Sequence, residues 1–154
     1  MRSLIRETCN YNFSSKESIN EADWQALLKH IKPECYFPED YKEFLFKYNG
    51  GRFKECIIPK SLEGPLIVSL FYPYDEVAEL SLNTLIEYSE DDIENGFFPI
   101  ADDPGGNYYL LNINQEGNGE VYYWSHDSVF ENGTDKILIF NSFTDFINTL
   151  EVDI

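Results

Sequence analysis

Few residues in this chain could make or break bonds. There are two histidines, His30 and His126, and three cysteines, Cys9, Cys35 and Cys56. A thiol or hydroxyl nucleophile needs a base beside it and a third group to orient that base. No spacing ties either histidine to a cysteine, and His30 falls at the end of a helical pattern, where an imidazolium favours the helix dipole. Catalysis is not expected. Asp91, Asp92 and Glu94, or Asp102 and Asp103, offer oxygen ligands for Ca²⁺. Neither group has the D-x-[DN]-x-[DN]-G spacing of a calcium loop, and both read as solvated acids. The Cys and His spacings match no zinc pattern. Gly105-Gly106-Asn107 leads into a strand, whereas a phosphate cradle leads into a helix N-terminus; the two carboxylates beside it would also repel an anion. No metal and no cofactor are expected.

The acids invite a different reading. Glu90, Asp91, Asp92, Glu94, Asp102 and Asp103 fall in expected loops on either side of Phe97-Phe98. Interfaces draw most of their energy from a few aromatic anchors, while surrounding charge sets encounter rate and partner choice. These six acids and Phe97 are therefore the candidate partner-binding residues. The same pattern also fits a core Phe97-Phe98 pair with acids that only keep the surface soluble. Across 154 residues, 28 acidic side chains face 11 basic ones, a net charge of −17. Such a chain repels nucleic acid and anionic membranes and is drawn to a basic protein. An odd cysteine count without a CxxC spacing suits reduced thiols and a cytoplasmic location. The N-terminal residues lack the apolar run of a signal peptide, and no apolar stretch approaches a membrane span.

These residues must be positioned by regular elements. Hydrophobic content of 43% and aromatic content of 16% suit one folded domain, 1–154, with residues 1–18 as a loosely patterned lead-in. Asn20 is an N-cap, with Ile19 and Trp24 spaced as a hydrophobic staple. Trp24, Leu27, Leu28 and Ile31 form the buried stripe, and Pro33 stops the helix. A second helix has Pro38 at its first position, Glu39 and Asp40 against the dipole, and Tyr41, Phe44, Leu45 and Tyr48 on one face. Asn49-Gly50 can take left-handed φ at its end, and Gly51 turns the chain into a strand. Residues 52–58 and 66–72 read as strands, residues 82–88 as a short helix, and residues 89–96 as an acidic loop. A short strand from Phe97 meets a Pro-Gly turn of type II. A longer strand runs to Ile113, with Val121-Tyr122-Tyr123-Trp124 as its antiparallel partner. Ile137-Leu138-Ile139-Phe140 is a last strand, and Ser142 caps a helix burying Phe143, Phe146, Ile147 and Leu150.

The second helix carries a resemblance. Pro38, Tyr41, Phe44 and Leu45, followed by Asn49-Gly50-Gly51, resemble the signature of the SUKH superfamily, which includes domains of fungal cell-wall assembly regulators and many bacterial immunity proteins. Pro99-Ile100-Ala101-Asp102, Gly105-Gly106-Asn107, Trp124-Ser125-His126 and Ser142-Phe143-Thr144-Asp145-Phe146 follow in the family's order. The resemblance runs from about Asn20 to about Leu150. Asn112 departs from it, since many members carry Asp there, and a role tied to that carboxylate does not carry over. Residues 60–96 match nothing in the pattern.

The resemblance implies an α+β domain: a largely antiparallel sheet of about five or six strands with N-terminal and C-terminal helices packed on it. Pro38, Tyr41, Phe44, Leu45, Asn49, Gly50, Gly51, Gly106, Asn107, Trp124 and Phe143 would be mainly structural. It implies a non-catalytic, protein-binding domain. In a bacterium that is an immunity protein occluding the active site of a cognate toxin, with a basic nuclease toxin as one candidate partner. The alternative is a regulatory scaffold resembling cell-wall (glucan) synthesis regulators, with no toxin involved.

Overall fold

A computed structural model describes residues 18–52, 56–59, 64–76, 80–126 and 134–152. Its elements are α1 (Glu21–Leu28), α2 (Glu39–Tyr48), β1 (Cys56–Ile58), β2 (Leu66–Val68), β3 (Leu70–Phe71), α3 (Leu82–Tyr88), α4 (Glu90–Glu94), β4 (Phe97–Asp102), β5 (Tyr108–Asn112), β6 (Val121–Trp124), β7 (Lys136–Phe140), α5 (Phe143–Thr149) and β8 (Glu151–Val152). Strands β3-β4-β5-β6-β7 form a five-stranded sheet and β2-β1-β8 a three-stranded one. Every strand pairing is antiparallel. The fold is α+β, with helices near both ends of the chain.

The helix ends follow from the sequence. Asn20 Oδ1 accepts from the Asp23 N–H at 2.9 Å while the Asp23 carboxylate accepts from the Asn20 N–H at 3.1 Å, a reciprocal capping box. Helix α1 ends at Leu28, so Ile31 lies beyond the helix rather than on its stripe. Pro38 is the N-cap of α2 and not its first helical residue: its ring fixes φ at −64° but leaves ψ free to be extended at 148°. Its carbonyl accepts the first helical bond, from Lys42. Ser142 Oγ accepts from the Asp145 N–H at 3.0 Å to open α5. Asp40 then ties α2 to α5, accepting from the Thr144 N–H at 2.9 Å and hydroxyl at 2.8 Å.

Several elements differ from the sequence pattern. Residues 66–72 read as one strand but serve two sheets, with β2 paired to β1 and β3 to β4. Between them, the Ser69 N–H donates to the Asp102 carbonyl at 2.8 Å. Residues 89–96 are not a loop, since Glu90, Asp91 and Asp92 occupy the first turn of α4, where the helix dipole favours negative charge. The turn after β4 is not type II. That geometry needs positive φ at the third residue, here Gly105, whereas the positive φ, 84°, falls on Gly106. The Asp103 carboxylate explains the shift, accepting from the N–H groups of Gly105 at 2.9 Å and Asn107 at 3.0 Å. Strand β8 is only two residues long, too short to leave a periodic signal. Of the strand expected at residues 52–58, residues 53–55 lie outside the described residues; so do residues 1–17 of the lead-in.

Aromatic rings fill the space between the five-stranded sheet and α2 and α5. Phe44 meets Phe71 at 5.1 Å and Phe143 at 5.2 Å between ring centroids, Phe146 stacks on Tyr109 at 5.5 Å, and Phe37 meets Phe98 edge-on at 5.0 Å. Leu45, Phe98, Tyr109, Phe143 and Phe146 have no exposure to solvent. Tyr41 is buried here too, and its hydroxyl has no hydrogen-bond partner among the described residues; burial pushes its pKa up. A buried hydroxyl without a partner costs stability. Tyr41→Phe is therefore expected to leave stability unchanged or raise it by about 1 kcal/mol in urea unfolding; a clear loss would show that the hydroxyl has a partner.

The end of α2 is a close backbone junction. Asn49 takes left-handed φ of 48°, and its buried side chain clamps the backbone of Tyr74, accepting from the N–H at 2.8 Å and donating to the carbonyl at 3.1 Å. Gly50 has φ of 68°, and a Cβ there would lie 2.6 Å from the Phe71 carbonyl oxygen and 2.7 Å from the Pro73 nitrogen. Gly51 bridges to Phe71. Gly106, by contrast, has positive φ but open space around it. Gly50→Ala is expected to cost about 2–4 kcal/mol, strain plus a backbone clash, and Gly106→Ala only about 1 kcal/mol. Denaturant melts of the two variants side by side check this, and equal losses would contradict the close approach at Gly50.

Candidate functional site

Successive side chains of a strand point to opposite faces of the sheet; burial alternates along β6, whereas β5 is buried from Tyr109 to Asn112. Tyr109 and Tyr123 are paired across β5 and β6 and are buried toward the helices. Their neighbours Tyr108 and Trp124, also paired, therefore project from the opposite, outer face. In the register, Leu70, Asp102, Tyr108, Trp124 and Lys136 form one row across all five strands. The Tyr108 and Trp124 rings stack at 5.4 Å and 27°, and Tyr72 adds a ring 6.3 Å from Tyr108. The Trp124 indole N–H donates to Asp135 at 2.8 Å.

Lys136 reaches across this face. Its ammonium lies 4.9 Å from the centre of the Phe97 ring and 3.0 Å from the Asp92 carboxylate. Phe97 meets Tyr122 edge-on at 5.2 Å. One cation thus brings together two candidate residues from different elements, Asp92 of α4 and Phe97 of β4. The other candidates divide. Glu90 and Asp91 are exposed on α4, and Glu94 faces Lys32 at 3.3 Å. Asp102 and Asp103 stand at the far end of β4. Phe97 is half-buried and Phe98 is core, so the two neighbours split between the faces. Composition alone does not single out Lys136, Tyr108, Tyr122 or Asp135; only the strand register assembles them.

The two carboxylates at the end of β4 are in opposite electrostatic states. Burial raises the Asp102 pKa, outweighing the hydrogen bonds from the Tyr72 hydroxyl at 2.8 Å and the Leu70 backbone and the charge of Arg52. Burial pushes Asp103 the same way, but the Tyr123 hydroxyl at 2.6 Å, the Asn107 amides and the Gly105 N–H prevail and lower its pKa. Asn107 then accepts from the His126 N–H at 3.1 Å and lies 2.7 Å from its ring Nδ1. The Gly-Gly-Asn and Trp-x-His segments are one hydrogen-bonded unit.

The remaining motif residues lie in the core or at the ends of α2. Tyr41, Phe44, Leu45 and Phe143 are core, Pro38 caps α2, and Asn49, Gly50 and Gly51 hold its end against β3 and Tyr74. Asn112 is also structural: its amide donates to Glu120 at 3.0 Å and its carbonyl accepts from the Asn114 N–H at 3.0 Å, shaping the turn between β5 and β6. The Cys35 thiol lies 3.9 Å from Asn114 Oδ1, and burial raises its pKa, which disfavours the nucleophilic thiolate. Cys9 lies outside the described residues. Among the described residues no group of three or more His, Cys, Asp or Glu side chains converges as a metal site. No described helix is long and apolar enough to cross a membrane.

These features define an α+β protein whose sequence motifs hold helices and turns onto an antiparallel sheet, with an aromatic outer face edged by carboxylates. The chain belongs to the SMI1/KNR4 family (SUKH-1), whose description matches residues 18–149. It is also similar to the SPbeta prophage-derived uncharacterized protein YokK of Bacillus subtilis (strain 168), at 28% identity over 130 residues, 73% of this chain and 66% of that protein. The chain thus spans just under two thirds of that relative's length.

The paired carboxylates predict opposite pH responses. The folded pKa of Asp103 is depressed, so its stabilisation is present above the unfolded value of about 3.9 and is lost as pH falls through the folded value. The stability gap between wild type and Asp103→Asn should therefore be widest near neutrality and close on acidification. The folded pKa of Asp102 is raised, so its contribution is full below the unfolded value and lost as pH rises through the folded one. The gap to Asp102→Asn should shift in favour of wild type as pH falls. Urea melts across the acid range read both signs, and parallel curves for the two variants would contradict the assignment.

Proposed function

We propose that this chain is a single non-catalytic protein-binding domain of the immunity type, which neutralises a cognate toxin by covering its active site. The observation that carries this reading is the family match across residues 18–149. The net charge of −17 supports a basic partner such as a nuclease, whose own substrate is a polyanion with which the inhibitor must compete. Glu90, Asp91, Asp92, Glu94, Phe97, Asp102 and Asp103 are the proposed contact set, acting in the cytoplasm. The prophage origin of one relative suits an antidote that travels with its toxin. The regulatory-scaffold alternative is separated from this reading by gene neighbourhood: a toxin gene beside this one supports immunity.

Affinity capture from the native cell should recover a basic protein whose activity falls on binding. Its association rate with this chain should drop steeply between about 50 mM and about 500 mM salt, as surface charges are screened. A rate unchanged over that range would remove the electrostatic steering. Replacing His30, His126 and Cys35 should leave inhibition intact; lost function in a correctly folded variant would return catalysis to consideration.

A further inference from the structure

We propose that the outer face of the five-stranded sheet, along the row Asp102–Tyr108–Trp124–Lys136, is the docking surface for a basic protein partner, with a partner arginine lying across the stacked Tyr108 and Trp124 rings. This rests on the reading of the chain as a protein-binding domain and adds the place and the chemistry of contact. The face is built for a cation. The Tyr108 and Trp124 rings, stacked at 5.4 Å and 27°, are both partly exposed on this face, and the open face of an aromatic ring is where a planar guanidinium stacks. Carboxylates stand beside them: Asp102 in the same row, and Asp135, which already orients the Trp124 indole.

The protein's own Lys136 shows that this face holds a cation. Its ammonium rests on the Phe97 ring and against Asp92, a ring and a carboxylate serving one positive charge. The Tyr108–Trp124 pair repeats that combination in a form that suits arginine, with carboxylates close by. Trp, Tyr and Arg are also the residue types that dominate interface energies. Charge complementarity selects the occupant. At a net charge of −17, nucleic acid and anionic lipid are repelled and a basic polypeptide is attracted. Lys136 then has a second role: it competes with a partner cation for Asp92 and Phe97 of the proposed contact set.

The test uses acetyl-tetra-arginine-amide and its uncharged tetra-citrulline counterpart as probes, followed by NMR on the intact chain. The indole N–H of Trp124 is the reporter, and that of the buried Trp24 is an internal control. The arginine peptide should shift the Trp124 indole and the Tyr108 and Trp124 amides, and leave Trp24 in place; the citrulline peptide should shift none of them. Trp124→Leu and Tyr108→Leu should each weaken binding by about tenfold. Asp135→Asn, which keeps both rings, should weaken it less. Should Trp124→Leu fail to fold, Tyr108→Leu and Asp135→Asn still decide. Lys136→Met should tighten binding severalfold, whereas Lys29→Met, the same charge change at an exposed site outside the sheet, should have little effect.

Shifts confined to Glu90 and Asp91, or spread evenly over the acidic surface, would overturn the assignment of this face while leaving the immunity reading standing. Equal effects of Lys136→Met and Lys29→Met would overturn the role given to Lys136. A captured partner that binds Trp124→Leu and Tyr108→Leu as tightly as wild type would place the interface elsewhere. Capture of no partner at all would instead count against the immunity reading itself.

Discussion

The close approach of backbone to backbone at the end of α2 is the constraint on which the rest of the structure depends. Gly50 brings the chain so near Phe71 and Pro73 that no side chain fits between them. Asn49 locks the same place by completing the hydrogen bonds of Tyr74. The helix end is thereby fixed against the segment that carries β3. Phe44 is then held against Phe71, and Phe143 and Phe146 of α5 close the same cluster. Because that face of the sheet is filled by aromatic rings, alternation leaves Tyr108 and Trp124 to the other face. A turn of three residues thus sets which side of the sheet is packed and which is presented.

Much of this was legible in the sequence because it is local. Asn20 and Ser142 mark helix starts through bonds to residues three positions away, Asn49 marks a helix end by its tolerance of left-handed φ, and β5 and β6 pair across a short turn. What escaped reading depends on distant partners. Ser69 breaks an uninterrupted apolar run because the two halves find different neighbours, β1 and β4, which no periodicity can report. The acidic run at residues 90–94 is helical because its charges lie in the first turn, where position matters more than composition. Pro104-Gly105 suggests one turn type, and the Asp103 carboxylate imposes another by engaging the backbone ahead of it.

The candidate site shows the same division. The acids and Phe97 stand out by type alone, but their grouping does not. Asp92 and Phe97 are joined through Lys136, a residue more than forty positions along from Asp92, and Glu94 is turned toward Lys32 instead. Family segments that look independent in the sequence are joined in space: Asn107 receives the backbone of His126 and donates to Asp103 and Tyr123. In this chain each of those residues completes the bonding of the next.

The alternation of side chains along β5 and β6 also bears on how such a chain can diverge. Positions 109, 111, 121 and 123 are committed to the interior, and Leu110 is buried on the second face, while 108, 122 and 124 answer to whatever lies outside. Leu110 apart, the two sets are interleaved letter by letter, and the outward one can be rewritten with little effect on the interior. A lineage can therefore change its exterior vocabulary through single substitutions and keep its architecture, whereas an insertion of one residue within either strand would exchange the two sets and ruin both at once.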